Sequence, residues 1–412
     1  MNSFFYDFFI FLYSFFIKLA SFWNEKARLW INGRKEFPTF SSSQKKIWMH
    51  CASLGEFEQG RPVLESFRKQ FPQHQIVLSF FSPSGFEIRK NYADADYVIY
   101  LPSDTKKNAE RLIKAINPEL VIWVKYEYWF HFLSSLKKNK IPTILISGIF
   151  RPNQPFFKWY GNFWREMLNC FTHIFVQNQE SVQLLQSIHK SNVSISGDTR
   201  FDRVVDIAKN ENKVNGIADF IDHHFSIIAG STWPEDERLL ADFISTNNQI
   251  KFIIAPHEIN ASKLLKLKEQ LHTAIFYSDW IKNSAKERDC NVLIIDNVGM
   301  LSKLYHYGNL AYVGGGFNKS GIHNLLEAAV YGKPVIIGPN YQKFQEAIDL
   351  IKIGGAFSIK SSLELNNQLA LFYNKEELII RAGKLSKDYV VLQKGASNLI
   401  MNYITENRLL TN

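Results

Sequence analysis

Short apolar runs alternate with amphipathic stretches along nearly all of this 412-residue chain, and the alternation starts twice. In the first half, strand-like runs follow Ile47-Trp48-Met49 at 76–80, 97–101, 120–124, 143–147 and 173–177, with helical spacing at 106–116 and 130–138. In the second half they recur at 225–229, 251–255, 274–277, 292–295, 310–313 and 334–337, separated by helical stretches such as 235–244, 260–271 and 323–331. Continuous apolar strands separated by helices are buried on both faces, which predicts a parallel sheet covered by helices on each side. The expected fold is α/β, with two doubly wound, Rossmann-like domains facing across a cleft. The first domain is expected over 26–205, a polar linker over 206–225 (with Lys209-Asn210-Glu211-Asn212-Lys213 at its centre) and the second domain over 226–375. Helices over 376–412 are expected to pack back on the first domain. Open α/β sheets bind ligands beyond the carboxyl ends of their strands, so such a cleft would hold two substrates.

Residues Phe4 to Trp23 are almost wholly apolar or aromatic, interrupted by Asp7 and Lys18. The stretch is about the length that spans a bilayer, roughly 20 residues, and its two charges also suit a helix lying in the interface. A membrane-anchoring helix is therefore expected within 1–25, and the residues after it lack a small-residue cleavage site. Lys26, Arg28, Arg34 and Lys35 follow, which places the body of the protein on the cytoplasmic side. The formal net charge of +9 attracts anions, but the basic residues are dispersed and no nucleic-acid-binding signature is present. An acidic lipid surface or a phosphorylated substrate is the expected counterpart; nucleic acid is not. The three cysteines are far apart and form no disulfide framework or metal spacing.

Two motifs carry chemistry. His50-Cys51-Ala52-Ser53-Leu54-Gly55-Glu56 joins a strand to a helix and sets a carboxylate at the edge of the first sheet. Glu56 there is either a general base or an acid favoured by the helix dipole. Cys51 is a poor nucleophile candidate, because only His50 stands near it in sequence to activate it. In the second half, Val313-Gly314-Gly315-Gly316-Phe317 closes a strand, and Gly321-Ile322-His323-Asn324 is expected to open a helix that carries Glu327. Glycines admit phosphate to backbone N–H groups, His323 and Asn324 would donate to it, and Glu327 would accept from ribose hydroxyls. A metal held by His323 and Glu327 lacks a third ligand in the sequence. Ala229-Gly230-Ser231-Thr232-Trp233 and Ala255-Pro256-His257-Glu258 end two further strands of the same sheet.

Together, and in this order, the motifs resemble the Kdo (3-deoxy-D-manno-octulosonic acid) transferases of lipopolysaccharide assembly. His50–Glu56 is similar to the family's H-x-x-S-x-G-E, Gly314–Glu327 to its G-G-S…G-G-H-N-x-x-E, and Gly338-Pro339-Asn340 with Phe344 to G-P-H-x-x-N-F. The resemblance implies a GT-B fold and inverting transfer of Kdo from CMP-Kdo to a 6′-hydroxyl of a lipid A precursor at the cytoplasmic face of the inner membrane. No cofactor is expected and no metal constellation is visible in the sequence, which suits a CMP-sugar whose single phosphate a helix N-terminus and His323 can meet, so transfer is expected to survive EDTA. Glu56 falls on the family's base, with Ser53 and Gly55 beside it. The family's M-E-T-E-L-W-P falls on Val124–Phe130, so its first Glu is Lys125 and its second is kept as Glu127. Its G-x-L-K-F-D falls on Gly197–Asp202, so its Lys is Arg200. CMP contacts are implied for Ser231 and Thr232, Pro256 and His257, and the backbone of Val298, Gly299 and Met300. The same holds for Gly315, Gly316, His323, Asn324, Leu325, Leu326 and Glu327. The departures at Lys125, Arg200, Trp233 and Ala255-Pro256-His257 leave two alternatives in view: a GT-B enzyme using a UDP-sugar, or an inactive membrane adaptor of the same fold.

Overall fold

The computed structural model describes residues 3–40, 44–209, 213–283 and 290–410. The centre of the expected linker, Asn210 to Asn212, lies outside the described residues. The chain divides into two compact units, one of residues 1–202 with 394–412 and the other of residues 203–393.

The first unit holds a seven-stranded parallel sheet of β1 (Lys46–Cys51), β2 (Gln75–Phe80), β3 (Tyr97–Tyr100), β4 (Pro118–Val124), β5 (Thr143–Gly148), β6 (His173–Val176) and β7 (Val193–Ile195). The order is β3-β2-β1-β4-β5-β6-β7, so the direction of winding reverses between β1 and β4. At that reversal the crossovers leave on opposite faces and open a crevice at the strands' carboxyl ends. The helix Leu54–Gln70 follows β1 and buries Phe57, Val63, Leu64 and Phe67 against the sheet. Gly60 lets it come close: a Cβ there would sit 2.9 Å from Met49 Sδ and from a Val124 methyl. The helix Ala396–Glu406 packs on the same helix, and Asp202 accepts the Gly395 and Ser397 amides at its start. β7, which is short and partly exposed, has too weak an apolar pattern to be read from sequence.

The second unit repeats the plan with β8 (Ser226–Thr232), β9 (Lys251–Pro256), β10 (Ala274–Phe276), β11 (Val292–Ile294), β12 (Leu310–Val313), β13 (Val335–Ile337) and β14 (Ala356–Ser358). Their order is β10-β11-β9-β8-β12-β13-β14, all parallel, with the reversal between β8 and β12. Each unit is therefore doubly wound, as the alternation of apolar runs requires. Of the helices expected over 376–412 to pack on the first domain, Glu376–Leu392 belongs to the second unit and only the chain from 394 on joins the first. A local expectation is also corrected. The helix that was to open at Gly321 and run to 331 is a single turn, Leu326–Ala329, and His323 and Asn324 lie in the extended loop before it. The His323 amide is held by the Gly314 carbonyl (3.1 Å), which keeps this segment out of helical geometry.

The apolar N-terminal segment is a helix, Ser3–Ala20, long and apolar enough to cross a membrane. Tyr6 and Ile10 alone are buried, packing in the core of the first unit, where the Tyr6 hydroxyl donates to Asp104 (2.5 Å). Phe4, Phe5, Phe8, Phe9, Phe11, Phe15 and Phe16 are exposed. Asp7, which interrupts the apolar run, meets His131 Nε2 at 2.5 Å and stays open to solvent on its other side.

Candidate active site

In the first unit the polar residues gather where the winding reverses. Glu56 stands in the first turn after β1, buried, with one oxygen accepting the Ala52 amide. Burial and then the neighbouring Glu127 carboxylate raise its pKa from 4.5 to about 7, against the pull of the Ala52 amide and the Lys125 ammonium. A carboxyl poised there takes and returns a proton near neutral pH, which an ordinary helix-capping acid does not. Ser53 occupies the cap position of this helix without its hydroxyl capping an amide.

Glu127 is fixed by a chain of donors rooted in the core. Trp48 Nε1–H donates to Ser79 Oγ (2.8 Å), and Ser79 Oγ meets His50 Nδ1 (2.9 Å). His50 Nε2 meets Glu127 Oε2 (3.1 Å), which also accepts from Trp129 Nε1 (2.9 Å). With a neutral imidazole the directions are consistent: Ser79 donates to Nδ1, and Nε2–H donates to the carboxylate. His50 is thus engaged away from Cys51, whose thiol is pushed well up by burial and the two glutamates. A thiolate nucleophile at Cys51 is not formed.

Lys125 follows β4 in the left-handed backbone region, at φ 65°. Its charge favours the ionised form of both Glu56 and Asp198. Asp198 is buried, which opposes ionisation, yet Arg200 overcomes that and holds its carboxyl below the usual range. Arg200 donates to one Asp198 oxygen through Nε (2.9 Å) and a terminal nitrogen (2.7 Å), and its amide reaches the other oxygen. Glu56, Lys125, Glu127 and Arg200 therefore belong to one electrostatic cluster. Asp198 and the Trp48–Ser79–His50 chain were not foreseen. Asp198 stood in a motif already singled out, whereas nothing in sequence joins His50 to a residue 77 positions away.

In the second unit the ends of β8, β9 and β12 meet. Gly314, Gly315 and Gly316 follow β12; Gly315 has φ 88°, and a Cβ on Gly316 would lie 2.6 Å from Gly338. Glycine is required at both places, at Gly315 by conformation and at Gly316 by contact. Asp236 organises the turn: it accepts the Gly315 amide (2.9 Å), the Trp233 amide (2.9 Å) and the Tyr312 hydroxyl (2.7 Å). Thr232 donates to Glu237 (3.0 Å), and Ser231 beside it is left-handed at φ 53°.

The rings of Trp233 and His323 are nearly coplanar, 12° apart with centroids 6.4 Å apart, and joined edge to edge by Trp233 Nε1–H donating to His323 Nε2 (3.1 Å). His257 stacks on both, with centroids 4.7 Å from Trp233 and 4.3 Å from His323. A His323 ring that accepts at Nε2 is neutral and carries its proton on Nδ1. Burial, with His257 adding to it, pulls its pKa down to about 4. A cavity of about 400 Å³ opens beside this group, lined by Thr232, Trp233, Pro256, Glu258, Lys263 and Leu264 among others.

Asn324 bridges to Glu327 (3.1 Å) and to the Leu326 amide (3.3 Å), so Glu327 is paired with Asn324 and His323 with Trp233. The Leu325 and Leu326 side chains are buried, leaving only backbone to meet a ligand. Val298 and Gly299 stand apart in the loop after β11, Val298 exposed and Gly299 with nothing within 4 Å of a built Cβ. Asp236 is the member of this site that sequence reading passed over, whereas Trp233 was named only as a departure from the family pattern. The signal for Asp236 was an acid three residues after Trp233 at the start of a helix.

Residues 26–203 match the family model described as 3-deoxy-D-manno-octulosonic-acid transferase (kdotransferase). The chain is also 27% identical to 3-deoxy-D-manno-octulosonic acid transferase of Aquifex aeolicus, over 82% of this chain and 89% of that protein. Residues 26–203 thus match a Kdo transferase domain, and the chain is similar over most of its length to Kdo transferases. It is similar, at 29% identity over 75% of its length, to a bifunctional glycosyltransferase/methyltransferase of Fusobacterium nucleatum subsp. nucleatum, of which it spans 49%. Among solved structures, UDP-GlcNAc 2-epimerase from Neisseria meningitidis shares the fold of this chain, with a TM-score of 0.62 at 15% identity. That match covers 88% of this chain and 100% of the epimerase. The GT-B architecture implied by the motifs, two doubly wound α/β units, is thus present.

Proposed function

We propose that this protein transfers Kdo from CMP-Kdo to a hydroxyl of a lipid A precursor, with inversion, at the cytoplasmic face of the inner membrane. The observation that carries the reading is Glu56: a buried carboxyl with a pKa near 7 at the carboxyl edge of the first sheet, inside a family motif. In this mechanism the acceptor oxygen attacks the anomeric carbon of Kdo as the bond to the CMP phosphate breaks, and Glu56 takes the hydroxyl proton. Lys125 and Arg200 offset negative charge around the Kdo carboxylate, and Glu127, held by His50 and Trp129, keeps Glu56 protonatable near neutrality. In the second unit the amides of Gly315 and Gly316 and the Nδ1–H of His323 suit the CMP phosphate, and the cavity beside Trp233 and Pro256 suits its nucleoside.

The exposed phenylalanines of the helix Ser3–Ala20 support membrane attachment, which would bring a lipid acceptor to the first unit. The test is mass spectrometry of lipid A precursor after incubation with CMP-Kdo and the purified full chain. A product heavier by one Kdo residue or more is expected. No product, together with thermal stabilisation by UDP in preference to CMP, would overturn the reading.

A further inference from the structure

At the root of the apolar helix, entirely within the first unit, lies a cavity of about 410 Å³ that the transfer chemistry does not use. Its lining includes Lys18, Arg34, Lys35 and Arg111, with Glu36 the one carboxylate, and Ser14, Ser103 and Asn108 supply neutral polar groups. Four cations against one anion give this small volume a strongly positive potential.

The innermost cation is built in. Arg34 donates to the carbonyls of Leu101 (2.7 Å), Trp30 (3.0 Å) and Phe81 (2.7 Å), and its guanidinium lies 3.8 Å from the centroid of the Trp30 ring. The rings of Phe81 and Tyr100 flank it at 5.0 and 4.8 Å. None of these partners is a carboxylate, and Glu127 acts on the guanidinium through its field without a direct ion pair, so a half-buried positive charge is oriented by carbonyl dipoles and ring faces. Arg111 is likewise set over a ring, 3.8 Å from the Phe37 centroid. Lys18 and Lys35 are exposed at the rim.

The surroundings say which anion belongs there. Lys18 lies in one helical stripe with Phe11 and Phe15, both exposed, and Phe22 and Trp23 follow just beyond the helix, also exposed. A cavity whose rim is an apolar helix sits, when that helix enters a bilayer, at the depth of the headgroups. We propose that this cavity is a binding site for the phosphate of an anionic membrane lipid, distinct from the site of transfer. Arg34 forms its fixed floor, and Lys18, Lys35 and Arg111 close over the phosphate from the rim. The site acts as an electrostatic clamp on the end of the membrane helix, and it stands whether or not the protein transfers Kdo.

The experiment is native mass spectrometry of the full-length protein released from detergent micelles doped with phosphatidate, or in parallel with phosphatidylcholine. The wild type is expected to retain one phosphatidate and to lose phosphatidylcholine. The triple variant Lys18→Ser, Lys35→Ser, Arg111→Ser removes exposed side chains only, and is expected to bind phosphatidate roughly 100-fold more weakly. A charge-matched control, Lys137→Ser, Lys138→Ser, Lys140→Ser, alters exposed lysines away from the cavity and is expected to retain the adduct. An adduct that persists in the first variant, disappears equally in the control, or forms as well with phosphatidylcholine overturns the proposal. Displacement by millimolar inorganic phosphate would show a site for free phosphate and overturn the assignment to a lipid.

Discussion

Replacing Glu56 by glutamine separates the physical account of this residue from its chemical role. The carboxyl is buried, and burial with Glu127 beside it holds its pKa at about 7 instead of 4.5. A folded-state pKa raised above the unfolded value means that ionisation weakens the fold. The penalty is absent below about pH 4.5, grows as the pH rises, and is complete above about pH 7, where it is roughly 3 kcal/mol. Glutamine abolishes the ionisation, and the bond that the Ala52 amide makes to the carboxylate is already contained in the shifted pKa. The variant is therefore expected to be more stable than the wild type by about 3 kcal/mol at pH 8.5. For a unit of this size that raises Tm by about 6–12 °C. Near pH 4.5 the two melting curves should coincide. Scanning calorimetry or circular dichroism across that range reads the difference directly, and an offset independent of pH would refute the burial argument. In the transfer assay the same variant is expected to lose about 10²–10⁴-fold in turnover. The wild-type rate should climb through pH 7 to a plateau. Undiminished transfer by Glu56→Gln would remove Glu56 from the mechanism even if the stability result held.

Two further perturbations address the second unit. Asp236→Asn turns one of two accepting oxygens into a donor facing the Gly315 and Trp233 amides or the Tyr312 hydroxyl, at a cost of about 2–3 kcal/mol. Its thermal transition should fall by about 5 °C or more, and an unchanged melt would show that the carboxylate does not organise the glycine turn. Trp233→Phe keeps a ring in the stack but removes the N–H that His323 accepts. Nitrogen-15 NMR of the histidine side chains should show wild-type His323 neutral with its proton on Nδ1 from pH 5.5 to 8. In the variant the Nε2–H tautomer should appear and the ring should titrate at higher pH. An identical tautomer in both proteins would mean that the indole does not set it.

The α/β class, the two-fold start of the pattern and most strands were legible in the sequence, because strands buried on both faces must be continuous apolar runs. β7 (Val193–Ile195) and β14 (Ala356–Ser358) were not, since three residues that include a serine and are partly exposed make no continuous apolar run. The family motifs singled out Glu56, Glu127, Arg200 and His323 as candidates, because the proposed base, cation and phosphate donor each need a particular residue type just beyond a strand end.

Local sequence carried neither the state of those residues nor their company. The helix expected to open at Gly321 is one turn beginning at Leu326, because the His323 amide bonds to the Gly314 carbonyl instead of entering a helical turn. Propensity cannot anticipate a bond between loops that only the sheet brings together. The proton of Glu56 depends on Glu127, and Glu127 on a line of donors from Trp48 through Ser79 and His50, on three adjacent strands or their loops. The positive cavity likewise draws on residues from 14 to 111. Apolar periodicity is a property of the chain, read one turn or two residues at a time. Electrostatic environment is set by distance in space, which exists only once the sheet has chosen its strand order.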